Sequence, residues 1–370
     1  MSKSLNSMPV DSQLNDSKTR SAMRRKLLKW FDTQHRDLPW RKNKTPYRVW
    51  VSEIMLQQTQ VSTVIDYYKR FIKRFPNVKK LAAAEESEVL KLWEGLGYYR
   101  RARQLHAAAK LVMEKHGGRF PTDFDNVLAL PGIGRYTAGA ILSISLDQKL
   151  PILEGNTIRL FSRLMLMDGD TTTSANQKRL WSFSETLLPN KRAGDFNQAM
   201  MELGSEICKP RNPLCTDCPI KLHCPTRAEN RQREIPRPKK PPKYEEINEA
   251  VLVVQRDSMI LMRLCQPEER WAGLWDFPRF AVTSRRAETQ LAQDLADATG
   301  LSTELENTER QIKHAVTRFK ITLDCYQSTR VRSRLRKSTS YEWRNLVDLE
   351  ELPLSITGRK IAKRLLKTSQ

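Results

Sequence analysis

This sequence predicts two domains of different class: an all-helical N-terminal domain carrying a metal-binding cysteine module, followed by an α+β domain. Three observations lead there. Apolar residues recur at helical spacing as far as about Ile207. Four of the six cysteines then crowd into seventeen residues, as Cys208, Cys215, Cys218 and Cys224. Past a basic, Pro-rich stretch the period becomes two, first in Ala250-Val251-Leu252-Val253-Val254. A length of 370 residues also suits two domains better than one core. The expected boundaries are a disordered segment over 1–21, the helical domain over 22–225 with its cysteine loop at 208–224, a linker over 226–243, and the α+β domain over 244–370.

Lys and Arg number 64 against 42 Asp and Glu, a net charge of +22, which points to a polyanionic partner. No run of 18 apolar residues and no basic amphipathic helix stands out, so nucleic acid is favoured and a membrane is not. The polar N-terminus, with Asp11 and Asp16, has no signal core and no transit-peptide pattern. A cytoplasmic, nucleoid-associated monomer in a reducing compartment is expected. Disulfides are therefore not expected, and the spacing Cys-x6-Cys-x2-Cys-x5-Cys suits four thiolates on a metal centre. Zinc more often takes two close Cys pairs, so the uneven run favours an iron–sulfur cubane, with zinc still open on spacing alone.

In chain order, the first helix is expected over Ala22 to His35, followed by the loop Leu38-Pro39-Trp40-Arg41. Pro46 then opens a helix from Tyr47 to Leu56 that is apolar almost all round and contains one acid, Glu53. A buried carboxyl without a cation stays protonated, which is the state a general acid requires near neutral pH; pairing with Arg41 or Arg48 is the structural alternative. Leu56-Gln57-Gln58-Thr59-Gln60 is expected to continue this helix with amides aimed at something polar. Gly95-Leu96-Gly97-Tyr98-Tyr99-Arg100-Arg101 leads into a helix that opens on aromatics and cations, a composition that separates bases while gripping phosphates.

Leu130-Pro131-Gly132-Ile133-Gly134-Arg135-Tyr136-Thr137 reads as a tight turn before a buried helix, with Gly132 and Gly134 leaving bare N–H groups for a phosphate. Glu154 opens the next helix, with Asn156 beside it. Helices are expected over Asn176 to Leu188 and Asp195 to Ile207, the latter carrying Gln198. Lys209 and Arg211 make the cysteine loop basic, which reads as a phosphate contact. Behind the linker, Ala250 to Val254 and Ile260 to Met262 read as a hairpin turning near Arg256-Asp257-Ser258. Strands at Lys320 to Tyr326 and Tyr341 to Trp343 and helices at Ala287 to Ala298 and Gly358 to Leu366 complete that domain.

Together, Leu38-Pro39-Trp40-Arg41, Ser52-Glu53-Ile54-Met55-Leu56-Gln57-Gln58-Thr59-Gln60-Val61, Gly95-Leu96-Gly97-Tyr98-Tyr99, the Pro131 turn and the cysteine spacing resemble the adenine DNA glycosylases of the MutY type, within the helix-hairpin-helix superfamily related to endonuclease III. The resemblance implies a helix-hairpin-helix glycosylase domain with a 4Fe-4S cluster on Cys208, Cys215, Cys218 and Cys224, followed by a Nudix-like lesion-recognition domain. It implies duplex DNA as partner, with adenine mispaired with 8-oxoguanine or guanine as target. Glu53 takes the general-acid position, Trp40, Arg41 and Gln198 hold the flipped adenine, Gln58 and Tyr98 intercalate, and Asn156 supports the acid. Tyr136 stands where the endonuclease III enzymes hold a Schiff-base lysine, which implies a glycosylase without efficient lyase activity.

Three departures accompany the match. The family's Phe-Ser-His lesion reader corresponds to Val316-Thr317-Arg318, of which Thr317 keeps a hydroxyl. Gln293 to Leu301 keeps the shape of a Nudix helix but loses most of its acids, so nucleotide hydrolysis is not expected. Glu154 replaces the Asp that faces the sugar and stabilises an oxocarbenium-like transition state. A pure capping role for Glu154 is not expected, because Glu is not a favoured N-cap. The alternative function is a damage-binding protein that recognises the mispair without efficient excision; an incidental redox protein leaves Glu53 unexplained.

Overall fold

The structure, a computed structural model, describes Leu14 and residues 16–237, 243–282, 287–316, 318–337 and 340–368. Thr317, most of the N-terminal segment 1–21 and positions 238–242 of the linker lie outside the described residues. The described helices are α1 (Ser17–Gln34), α2 (Pro39–Lys42), α3 (Pro46–Leu56), α4 (Val61–Arg74), α5 (Val78–Ala82), α6 (Glu86–Trp93), α7 (Arg100–His116), α8 (Phe124–Leu128), α9 (Arg135–Leu146), α10 (Gly155–Leu164), α11 (Ser174–Leu187), α12 (Ala193–Glu206), α13 (Pro225–Ala228), α14 (Ala287–Thr299) and α15 (Ile356–Thr368). The strands are β1 (Glu245–Val253), β2 (Gln255–Arg256), β3 (Met259–Leu264), β4 (Trp275–Asp276), β5 (Arg279–Ala281), β6 (Ser302–Val316), β7 (Phe319–Arg332) and β8 (Tyr341–Asn345).

Two compact units result, one of residues 1–82 and 107–240, the other of 83–106 and 241–370. Residues 83–106, expected within the 22–225 helical domain, fall in the second unit by compactness. Residues 83–106 group with the sheets because polar side chains bind them there: Arg359 of α15 donates to both carboxylate oxygens of Glu94, at 2.5 and 2.9 Å.

In the helical unit α1 begins at Ser17, earlier than expected, because the Asp16 side chain accepts the Thr19 N–H at 2.7 Å and caps a first turn with no apolar periodicity. The inner face of α1 (Met23, Leu27, Phe31) shares a core with Leu160 and Phe161 of α10, Leu180 of α11 and Phe196 and Leu203 of α12. Each such side chain contributes on the order of 2 kcal/mol by leaving water. Helix α3 is buried on all sides, with Trp50, Val51 and Met55 inaccessible, and packs on α9. It ends at Leu56, so Gln57 to Gln60 form a turn into α4 instead of continuing the helix. Gln58 is left-handed there (φ 57°), which stops helical propagation. Between α8 and α9, Gly132 (φ 78°) lets the Ile133 N–H return to the Leu130 carbonyl at 3.1 Å, giving the expected hairpin.

The first part of the expected linker is folded. Ile235 is buried, and Arg163 of α10 donates to the carbonyls of Ile235 and Gln232, each at 2.8 Å. A charged composition concealed one apolar anchor and a distant donor.

In the sheet unit one sheet runs β5-β1-β7-β6, and the other has β3 between β2 and β8, with β4 also pairing β3. The expected pairing of the Ala250 and Ile260 strands is therefore confined to its turn end, where the Leu261 N–H donates to the Val254 carbonyl at 2.9 Å. Both sides of β1 are taken, by β5 and by the parallel β7, and the chain crosses to the other sheet after Val253. A short hairpin of β2 and β3 does turn at Asp257. The long strand β6 was unmarked in the sequence because charged and polar residues dominate it.

Candidate active site

Seven functional candidates of the helical unit meet in one cavity of about 180 Å³. Glu53, Tyr136, Glu154, Asn156, Trp40, Arg41 and Gln198 all line it. Each comes from a different local device. Glu53 projects from the buried helix α3. Tyr136 is the second residue of α9, placed by the hairpin turn. Trp40 and Arg41 sit on α2, whose start is set by Pro39, and Gln198 lies on α12 with its amide donating to the Gly194 carbonyl at 3.4 Å.

The shortest contact among the candidates joins Tyr136 to Glu53, the phenol donating to Oε2 at 2.7 Å. Burial raises the Glu53 carboxyl to about 7; the Tyr136 hydrogen bond opposes that rise, the negative charge of Glu154 adds to it, and Arg41 works against it. The group is therefore poised between its two forms near neutral pH. Neither Arg48 nor Arg41 forms an ion pair with it. Arg41 instead bonds Glu202, at 3.0 Å.

Glu154 occupies the N-cap of α10 and caps it, although Glu is not a favoured N-cap, while also lining the cavity. One carboxylate oxygen accepts the Asn156 N–H at 2.8 Å and the other the Thr157 N–H at 3.0 Å, while the Thr157 hydroxyl accepts the Glu154 N–H at 2.8 Å. The statistical preference against Glu at N-caps reflects a longer rotor, and here two backbone donors together fix that rotor. Burial raises this carboxyl as well, while the backbone donors oppose it. A capped carboxylate that also lines the cavity is preorganised toward whatever charge develops there.

Glu202 was missed by sequence reasoning. It lies one turn beyond Gln198 on α12, lines the same cavity and is 1% exposed. Burial alone would raise its carboxyl, but Arg36 and Arg41 hold it at about 2. The available signal was its four-residue spacing from Gln198; its partners lie far away in sequence. Asn156 accepts from Arg159 at 2.9 Å, and Arg159 also donates to the Cys208 carbonyl at 2.8 Å. Gly204 stands where a Cβ would approach the Cβ of Asn156 to 2.8 Å, so α12 and α10 meet closely beside the site.

Other candidates lie elsewhere. Gln58 is exposed on its left-handed turn, outside the cavity lining. Tyr98 belongs to the sheet unit, left-handed (φ 50°) and 48% exposed. Gly134 is exposed at the start of α9, with Gly132 in the preceding turn. Lys209 and Arg211 are exposed in the cysteine loop.

Cys208, Cys215, Cys218 and Cys224 line one small cavity walled by Leu160, Leu164 and Ile220. Arg163 donates to the Cys208 sulfur at 3.1 Å, and the Gln232 amide to the Cys215 sulfur at 3.8 Å. Among the described residues no three His, Cys, Asp or Glu side chains are placed to hold a single metal ion. The donor set, four thiols around an apolar pocket with an arginine aimed at sulfur, fits a polynuclear thiolate cluster. No helix among the described residues is long and apolar enough to cross a membrane.

Two regions of the chain match known families. Residues 51–185 match the model of the HhH-GPD superfamily base excision DNA repair proteins, and residues 250–364 match a NUDIX domain. The adenine DNA glycosylase of Buchnera aphidicola subsp. Schizaphis graminum is 41% identical over 263 residues, 71% of this chain and 76% of that protein. The rat adenine DNA glycosylase is 47% identical over 213 residues, 55% of this chain but only 41% of the rat protein's length. A thermostable thymine-DNA glycosylase of known structure covers 57% of this chain and 98% of its own, at 30% identity and a TM-score of 0.53. With a relative this similar across most of its length, and with the base-excision-repair and NUDIX regions in this order, the chain belongs to the adenine DNA glycosylase family of the MutY type.

Proposed function

We propose that this DNA glycosylase flips adenine out of mispairs with 8-oxoguanine or guanine in duplex DNA and hydrolyses its N-glycosidic bond without efficient strand cleavage. The observation that carries this reading is the Tyr136–Glu53 bond of 2.7 Å in a cavity that also holds Glu154. Protonated Glu53 gives its proton to the departing base as the bond to the sugar breaks, and the bond electrons leave with adenine. Glu154 stabilises the positive charge that develops on the sugar. Water then adds to the sugar carbon and returns its proton to Glu53. Trp40, Arg41 and Gln198 line the cavity and hold the base, while Glu202 fixes Arg41. Gln58 and Tyr98 are wedges in the base stack, and the Gly132–Gly134 turn, Lys209 and Arg211 meet phosphates. An imine route requires an amine, and a phenol stands at Tyr136 instead. Thr317 is proposed as a contact to the lesion.

The four cysteines would hold a 4Fe-4S cluster, whose contribution is to tie the basic loop 208–224 into a rigid surface. Cys215→Ser in the full chain is expected to remove the absorbance shoulder near the visible edge and to lower thermal stability; a colourless parent purified anaerobically contradicts the cluster.

Tyr136→Phe tests the acid. The lost donor stabilised the Glu53 carboxylate, so its removal raises the pH at which Glu53 gives up its proton. The rate of single-turnover adenine release, measured from about pH 5 to about pH 9, should fall at higher pH in the variant than in the parent, with a maximum roughly tenfold lower. An unmoved profile would show that this hydrogen bond does not govern the acid.

A further inference from the structure

The loop that carries Tyr98 is built around one buried cation. Trp93, the last residue of α6, is fully buried, and its indole N–H donates to the Gly97 carbonyl at 3.2 Å. Arg101, 8% exposed, donates through Nη2 to the same carbonyl at 3.0 Å. Its guanidinium lies over two rings, 5.4 Å from the Trp93 centroid and 5.6 Å from that of Tyr98. The Gly95 N–H is taken by the Tyr99 hydroxyl at 3.0 Å. Gly95 and Gly97 are left-handed at φ 93° and 76°, and Tyr98 follows at φ 50°, a rare conformation for an aromatic residue. Every element of this loop is thus held, while the Tyr98 ring remains 48% exposed.

We propose that Arg101 is the positioning residue of the Tyr98 wedge: its guanidinium, packed over Trp93 and anchored on Gly97, holds the Tyr98 ring in the attitude in which it enters the base stack. The inference rests on the reading of Tyr98 as a wedge. A free tyrosine ring at a loop tip has rotamers to lose on insertion, and a cation beneath its face removes that loss in advance. The planar guanidinium can stack on a ring and bond a carbonyl in the same plane, which an ammonium cannot do. Burial lowers the Arg101 guanidinium to about 10, so it is still charged at neutral pH and the contact is present under working conditions.

A double-mutant cycle on the full chain tests this. The variants are Tyr98→Ala, Arg101→Met, Arg101→Lys and Tyr98→Ala with Arg101→Met. The readout is stopped-flow fluorescence of a 2-aminopurine next to the adenine mispair, which reports unstacking, with adenine release followed in parallel. Tyr98→Ala and Arg101→Met are each expected to slow unstacking about tenfold, with the double variant no slower than Tyr98→Ala alone, because both remove one interaction. Arg101→Lys should keep the fold and recover only part of the rate. If Arg101→Met does not fold, Arg101→Lys carries the cycle, and its loss should likewise vanish in the Tyr98→Ala background. Losses that multiply, or an Arg101 variant as fast as the parent while Tyr98→Ala is slow, overturn the proposal. Parental unstacking by Tyr98→Ala overturns the wedge reading itself.

Discussion

Glu53→Gln is expected to slow single-turnover adenine release by about three orders of magnitude while leaving affinity for the mispaired duplex within a few fold. Removing a general acid costs roughly 10²- to 10⁴-fold, and Glu53 also accepts the Tyr136 phenol, a contact Gln keeps through its own carbonyl. The substitution should have the opposite effect on stability. An acid held at about 7 when folded, against 4.5 normally, keeps its proton in the native state at pH values where the unfolded chain has lost it. Stability from this group is therefore fully present below the unfolded pKa, falls as pH rises through that window, and levels off above about 7, by which point on the order of 3 kcal/mol is lost. Glu53→Gln escapes this loss. Denaturant melts of parent and variant at acid and mildly alkaline pH should show the variant's advantage growing with pH, and equal differences at both would mean that Glu53 is not held protonated.

Glu154 carries the second large expectation. Glu154→Gln removes the charge and weakens the cap of α10, and release should slow by about 10²- to 10³-fold, the usual effect of deleting a preorganised electrostatic partner. Glu154→Asp keeps the charge and is itself a good N-cap, but withdraws the carboxylate by about 1.5 Å. Because the Asn156 and Thr157 N–H groups already fix the longer side chain, Glu154→Asp is expected to be slower than the parent by about tenfold. A much faster Glu154→Asp would identify the natural residue as a handicap, and a Glu154→Gln as fast as the parent would remove Glu154 from the chemistry.

The burial of Glu53 was legible because it is a single carboxyl in an otherwise apolar helix, and that burial is the largest cause of its raised carboxyl. The convergence of the four cysteines and the hairpin turn were legible because each pattern is contained within a few residues. Glu202 was not, since its meaning depends on Arg36 and Arg41, which only folding brings to it. The cap at Glu154 goes against the usual N-cap preference because two specific N–H donors hold its carboxylate. The apolar run Ala250 to Val254 marked a strand but, being buried throughout, not its partners, because apolar character records burial and not which edge is paired. Nothing local announced that Gln58 and Tyr98 both adopt left-handed backbone, as neither is a glycine or an asparagine.

The most direct test follows the products from a duplex containing adenine opposite 8-oxoguanine, with the protein in excess, in the presence and absence of borohydride. Free adenine, an intact strand bearing an abasic site and no borohydride-trapped covalent complex are the expected result. Tight binding of the mispair with no adenine released, or a trapped complex with a nicked strand, would contradict it.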